Sequence, residues 1–383
     1  MGITSGITSR PGSLVRSRAA RTLAAAMLTV ALMLFQAAAT FAHGATTSSR
    51  ITVFATGLNN PRGLTFGPNG TLYVAEGGTG GSHSTSGRCT QVIPPVGPYT
   101  GGFRRRIAAI NRDGHRTTVV SYLPSSQTSP ALGSLVSGVA DVQFVGGKLY
   151  ALLAGAGCSH GIASVPNGMV RVHGDDATLI ANLSHFIKMH PVKNPEPDDF
   201  EPDGTWFSMV RVGNSLYALE PNLGELDRIT LKEGGTEASV TRVADISAIQ
   251  GHIVPTAVTF HGGAFYVANL NTFPVAPGSS KLLRITLDGH VSVVTSGLTA
   301  VLGLEFHQGA PYAIEMTTAP GDATPGTGKV VRIEGRGDIE TVASGLTFPT
   351  GMAFGPDGKL YVSTNGFGFP PGAGQIVRLT VSK

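Results

Sequence analysis

The sequence predicts an all-β chain, a six-bladed β-propeller closed by its N-terminal strand and preceded by a signal peptide. Three observations carry this. A phrase made of an apolar strand, a Gly turn and a strand built around a Tyr recurs six times. Short runs rich in Val, Ile and Thr follow each copy with turn signals between them. One strand left over at the start matches one missing at the end.

The phrase is fullest at Gly63–Glu76 and returns almost letter for letter at Gly351–Thr364, with weaker copies at Asp141–Leu153, Phe207–Glu220, Ala257–Asn269 and Gly303–Glu315. Its anchors are Tyr73, Tyr150, Tyr217, Tyr266, Tyr312 and Tyr361. In the first copy Leu64-Thr65-Phe66 and Leu72-Tyr73-Val74-Ala75 are joined by Gly67-Pro68-Asn69-Gly70, whose Pro and Gly supply the fixed and positive φ of a tight turn. A third strand follows at Ile107–Ile110, Met169–Val172, Leu226–Ile229, Leu282–Leu287, Val330–Ile333 and Ile376–Leu379. A fourth follows at Thr118–Ser121, Thr178–Ala181, Val240–Ala244, Ser292–Thr295 and Thr341–Ala343. The last unit stops after its third strand, and Ile51–Ala55 stands ready to complete it. A tandem solenoid has no use for that offset, whereas a ring does. The stretches Gly77–Gly102, Gly155–Asn167 and His185–Pro202, rich in Gly, Ser and Pro, are expected to be loops inserted in the first units.

Residues 1–42 have the form of a secretory leader, with residues 50–383 as the propeller. Arg10, Arg16, Arg18 and Arg21 precede the apolar run Leu23–Phe35, and Ala37-Ala38-Ala39 and Thr40-Phe41-Ala42 offer cleavage sites after Ala39 or Ala42. An uncleaved anchor helix is the alternative. The leader holds four of the 28 basic side chains and none of the 24 acidic ones, so the remainder is balanced. That lacks the electrostatic footprint of a nucleic-acid or anionic-membrane binder. An exported chain with two cysteines, Cys89 and Cys158, at the same point of consecutive units is expected to pair them in a disulfide, with two free thiols as the alternative.

Three residues past each tyrosine stand Glu76, Leu153, Glu220, Asn269, Glu315 and Thr364, with Asn222 and Asn365 just beyond; Arg62 and Trp206 precede the first strands. In an antiparallel blade these positions share one end of the sheet near the axis. The candidate ligand-binding face is therefore Arg62, Glu76, Trp206, Glu220, Asn222, Asn269, Glu315 and Asn365. Acids and amides after a strand also cap the N–H groups of the next turn, which is the bland account of the same pattern. Oxygen donors of this kind suit a hard cation such as Ca²⁺, although no cofactor is required and no metal ligand or catalytic residue is assigned.

Other motifs weigh less. Gly157-Cys158-Ser159-His160-Gly161 has nucleophile-elbow spacing but no helix is expected after it. Asp199, Glu201 and Asp203 imitate the front of a calcium loop, but Val210 stands where its closing Glu belongs, so a solvated acidic linker is expected. His185 and His190 are expected in a loop with no helix to join them.

Leu58–Leu64 with Leu72–Gly81, and Leu219–Ile229, resemble the ScyD/ScyE family of exported bacterial proteins, relatives of NHL-repeat propellers. The resemblance spans roughly residues 50–383 and implies a secreted six-bladed propeller without an assigned reaction. More distant six-bladed relatives are the gluconolactonase and paraoxonase-like lactonases, which hold a divalent cation at the pore, and the quinone-dependent sugar dehydrogenases, which need a catalytic His. Glu76, Asn222, Asn269 and Asn365 are loosely similar to the lactonase ligands, while His261 and His307 fall in hairpin turns at the opposite end. The expected function is a monomeric, secreted binding or interaction module for a small molecule or an extracytoplasmic protein. The alternative is a metal-dependent lactonase-like hydrolase of the gluconolactonase or regucalcin type using the polar face.

Overall fold

The computed structural model describes residues 51–335 and 337–381, so the expected leader lies outside the described residues. They form six antiparallel sheets. The innermost strands are Pro61–Phe66, Val139–Val145, Met209–Val212, Pro255–His261, Val301–His307 and Gly351–Phe354, one for each of blades 1 to 6. Each of them touches the inner strand on either side, so the ring is closed. Thr52–Leu58 is the outer strand of blade 6, pairing antiparallel with Gly374–Leu379 through Thr52 opposite Arg378 and Val53 opposite Val377. The leftover strand thus latches the ring as the sequence predicts.

The recurring tyrosine has a packing reason. Tyr73 meets Phe144 of blade 2 edge-on at 4.9 Å, Tyr266 meets Phe306 of blade 5 at 4.8 Å, Tyr312 meets Phe354 of blade 6 at 5.3 Å, and Tyr361 meets Phe66 of blade 1 at 5.1 Å. Four of the six phrases therefore dock their Tyr on the inner-strand Phe of the next blade, a contact worth about 0.5–1.5 kcal/mol beyond area burial, while Tyr217 meets Phe265 on the second strand of blade 4. His261 and His307 stack flat on Phe306 and Phe354, so their place is in the packing between blades. The turn Gly67–Gly70 is closed by Gly70 N–H donating to the Gly67 carbonyl, with Gly70 at φ +79°.

The insertions depart from expectation. Blade 1 extends its outer hairpin to Thr100–Ile110 and Arg116–Gln127 and gains a fifth strand, Val136–Ser137. The segment expected to be loop at His185 opens with a helix, Leu183–Met189, whose first turn is capped by Asn182 accepting from His185 N–H at 2.9 Å. The run of prolines that follows, from Pro191 to Pro202, masked that short helix. Cys89 and Cys158 form the expected disulfide, tying the blade 1 and blade 2 insertions.

Candidate functional site

The row three residues past the tyrosine belongs to the architecture. Glu76 accepts from Asn59 N–H at 2.7 Å and pairs with Arg106. Glu220 accepts from Thr205 N–H at 2.7 Å and Leu223 N–H at 2.6 Å, and Glu315 accepts from Thr299 N–H at 2.7 Å. Asn269 accepts from Lys281 N–H at 2.7 Å and donates to the Ile253 carbonyl at 2.9 Å. Each of these side chains ties down backbone of the loops that flank its own blade's strands. Asn365 sits at φ +52° and donates to the Ala373 carbonyl, while Asn222 is half-buried in the turn after Glu220. Burial raises the carboxyls of Glu76 and Glu315 above their ordinary range and that of Glu220 to about 7. Among the described residues no group of three or more His, Cys, Asp or Glu converges as a metal cluster.

The mouth of the axial channel at this end has a different lining from the acids and amides foreseen there. A cavity of about 200 Å³ is walled by Val136, Trp206, Phe207, Leu270, Phe273, Met316 and Phe367, with Arg62 at its side. Of the eight candidates, Arg62 and Trp206 line this cavity. Phe207, Leu302 and Thr350 are shared with a second cavity of about 360 Å³ farther along the axis.

The second cavity contains two carboxyls that did not stand out in the sequence, Asp141 of blade 2 and Glu305 of blade 5. Asp141 is 6% exposed, and its oxygens accept from its neighbour Val142 N–H and from Met209 N–H of blade 3, each at 2.8 Å. Around it the inner strands shrink to Gly63, Ala257, Gly303 and Gly351. Burial pushes Asp141 up to about 7 against the opposing effect of the two N–H groups. Glu305 is half-buried and accepts no hydrogen bond among the described residues; burial, then the nearby charge of Asp141, pushes it to about 7. Thr65, Gln143, Thr259 and Arg211 complete the polar wall. The signal for both carboxyls was present in the repeat alignment. Asp141 holds a place where blades 1, 5 and 6 have Gly, and Glu305 lies opposite Tyr312 where its counterparts are uncharged.

A second acidic group lies off the axis. Glu201 and Asp203, expected in a solvated linker, are 3% and 4% exposed. They are drawn in by partners on other insertions and on their own: Tyr99 OH donates to Glu201 at 2.6 Å, while Asp203 accepts from Ser159 and from Lys188 of the same insertion. Ser159 therefore serves this network, and Cys158–His160 is one 3-10 turn rather than a strand-to-helix elbow. His185 lies within the short helix and His190 at its C-terminal cap, contrary to the loop expected for both, and His190 stacks on Phe186.

No family model matches the chain, and no curated protein matches it. Solved structures do share its fold. A gluconolactonase from Xanthomonas campestris aligns with a TM-score of 0.50 at 11% identity, over 87% of this chain and 90% of that one. Regucalcin from Agrobacterium tumefaciens, described as a calcium-binding protein, gives 0.50 at 14% identity over 86% and 92%. A Thermus thermophilus protein described as an oxidoreductase (glucose dehydrogenase) gives 0.51 at 17% over 87% and 100%. At such identities the likeness establishes the six-bladed propeller. The expectation of a binding module without a reaction is corrected, because the fold neighbours include proteins described as enzymes.

Proposed function

We propose that the chain is a lactonase-like hydrolase whose reaction takes place in the axial channel. One observation carries this: Asp141 and Glu305, from opposite sides of the ring, line one cavity with carboxyls that both titrate near neutrality. Such a pair holds one proton between them at working pH, the condition for acid and base to act together. Asp141, fixed by two N–H donors that favour its anion, takes a proton from water as the water adds to the acyl carbon. Glu305, with nothing to favour its anion, gives its proton to the departing alkoxide. The bond from acyl carbon to water oxygen forms, the ester C–O bond breaks, and a hydroxy acid results.

The polar-face candidates divide in this proposal. Arg62 and Trp206 face ligand, while Glu76, Glu220, Asn269 and Glu315 hold the blades together. Each commits an oxygen to a backbone N–H group, and Glu76 its other oxygen to Arg106, so they do not fit a metal centre and no step runs through one. Calcium, the ion named for the regucalcin neighbour, is the ion to add in the assay. Export, removal of residues 1–42, a monomeric mature chain and membership of the ScyD/ScyE family are further parts of the proposal. The Cys89–Cys158 disulfide supports export, and among the described residues no helix is long and apolar enough to cross a membrane.

The test is a panel of lactones and esters assayed with wild type, Asp141→Asn and Glu305→Gln, with and without calcium. Hydrolysis that falls at least about 100-fold in either variant supports the assignment. Hydrolysis that both variants retain sinks it.

A further inference from the structure

Arg62 is 8% exposed and lines the aromatic mouth of the channel. Its guanidinium has five N–H donors, of which one meets the Val136 carbonyl at 2.7 Å and another the Pro61 carbonyl at a long 3.5 Å. Arg106, Arg242 and Arg332 each have a carboxylate partner. Arg62 has none among the described residues. Burial alone acts on it, lowering its pKa to about 10 and leaving it charged at neutral pH, with no acid nearby to raise it. A buried cation without an anion is costly, and it persists where a ligand supplies the anion. Apart from the hydroxyl residues Thr128, Ser137, Thr205 and Thr350 the rest of the lining is apolar, with Trp206, Phe207, Leu270, Phe273 and Phe367 as its largest side chains.

We propose that this mouth binds small carboxylic acids with an aromatic or branched aliphatic body, the carboxylate on Arg62 and the body against the aromatic walls. Resting on the hydrolase assignment of the adjoining cavity, the substrates are then lactones and esters of such acids rather than polyhydroxy sugar lactones. Hydrolysis creates the carboxylate: water supplies the hydroxyl to the acyl carbon and the proton to the alkoxide, and the new acid ionises against Arg62. A neutral substrate thus gains its ionic contact only as product forms.

Trp206 is the single tryptophan of the chain and a wall of the cavity, so its fluorescence reads occupancy without turnover. Titration with phenylacetate is expected to give a saturable change, with phenylacetamide binding about tenfold more weakly. Arg62→Gln is expected to abolish the preference and leave the amide's affinity unchanged, and Arg62→Lys to keep part of it. Equal binding of acid and amide to wild type, absence of saturation with both, or a preference that survives in Arg62→Gln overturns the proposal. Should Arg62→Gln fail to fold, the wild-type comparison of acid with amide decides alone. Acid-selective binding without any lactone or ester hydrolysis would count against the hydrolase and not against this pocket. Hydrolysis without acid preference would do the reverse.

Discussion

A Cβ placed on Gly63 would lie 2.0 Å from Asp141 Oδ1 and 3.0 Å from the Asp141 Cα. Blade 1 therefore gives up a side chain at the axis so that the carboxyl of blade 2 can stand there. Gly63→Ala must push that carboxyl off its two N–H donors or spread the inner strands. We expect it to cost about 1–3 kcal/mol of stability by overpacking. It should also depress hydrolysis in the folded protein, read by thermal denaturation and by assay at a temperature where the variant remains native.

Glu305 contributes a pH-dependent penalty. Its folded pKa is raised, to about 7 from an ordinary 4.5, so the folded state prefers the protonated form. Stability is undiminished below the unfolded pKa, falls between about pH 4.5 and 7, and stays reduced above. Glu305→Gln removes the titration. With water in the channel screening the charge, the variant should be more stable than wild type by on the order of 1–2 kcal/mol at pH 8.5 and by little at pH 4.5. Paired urea titrations at the two pH values check this, and a gain of equal size at both would exclude the charge as its cause.

The ring, its six units, the latch at Thr52–Leu58 and the Cys89–Cys158 pairing were all legible in the sequence, because repetition exposes every strand several times over. The site was less so. A row of Glu76, Glu220 and Glu315 draws the eye by recurring, yet it recurs because these blades close the same loop with a side-chain cap on a backbone N–H. Asp141 and Glu305 each occur in a single blade and look like noise in a repeat. The alignment sets Asp141 in one column with Gly63, Gly303 and Gly351, but that this column faces a shared axial cavity with Glu305 is visible only in the assembled ring. The burial of Glu201 and Asp203 was hidden for a related reason, since Tyr99 and Ser159 come from two distant insertions.

The caps should behave as structure. Glu220→Ala leaves the Thr205 and Leu223 N–H groups without their acceptor and is expected to cost about 2–4 kcal/mol. Glu76→Ala additionally strands Arg106. In both variants the folded fraction should keep the wild-type pH dependence of hydrolysis. A displaced pH profile with unchanged denaturation would instead put these carboxyls in the reaction.

The disulfide links residues 69 positions apart in two insertions above the first blades. Replacing Cys89 and Cys158 with Ser should lower stability by about 2–4 kcal/mol. Because Thr85 donates to the Cys158 carbonyl, hydrogen exchange should quicken around Thr85 and Ser159 before the blades themselves open. Uniform quickening across all six blades would contradict a local role.

The most direct measurement is the pH dependence of kcat/KM for lactone or ester hydrolysis in wild type and in Glu305→Gln. Wild type should give a bell with its maximum near pH 7, because the active species carries one proton between Asp141 and Glu305. The variant should retain a weak activity that rises with pH and no longer falls on the alkaline side. A bell of unchanged height and position in the variant would remove the channel carboxyls from the chemistry.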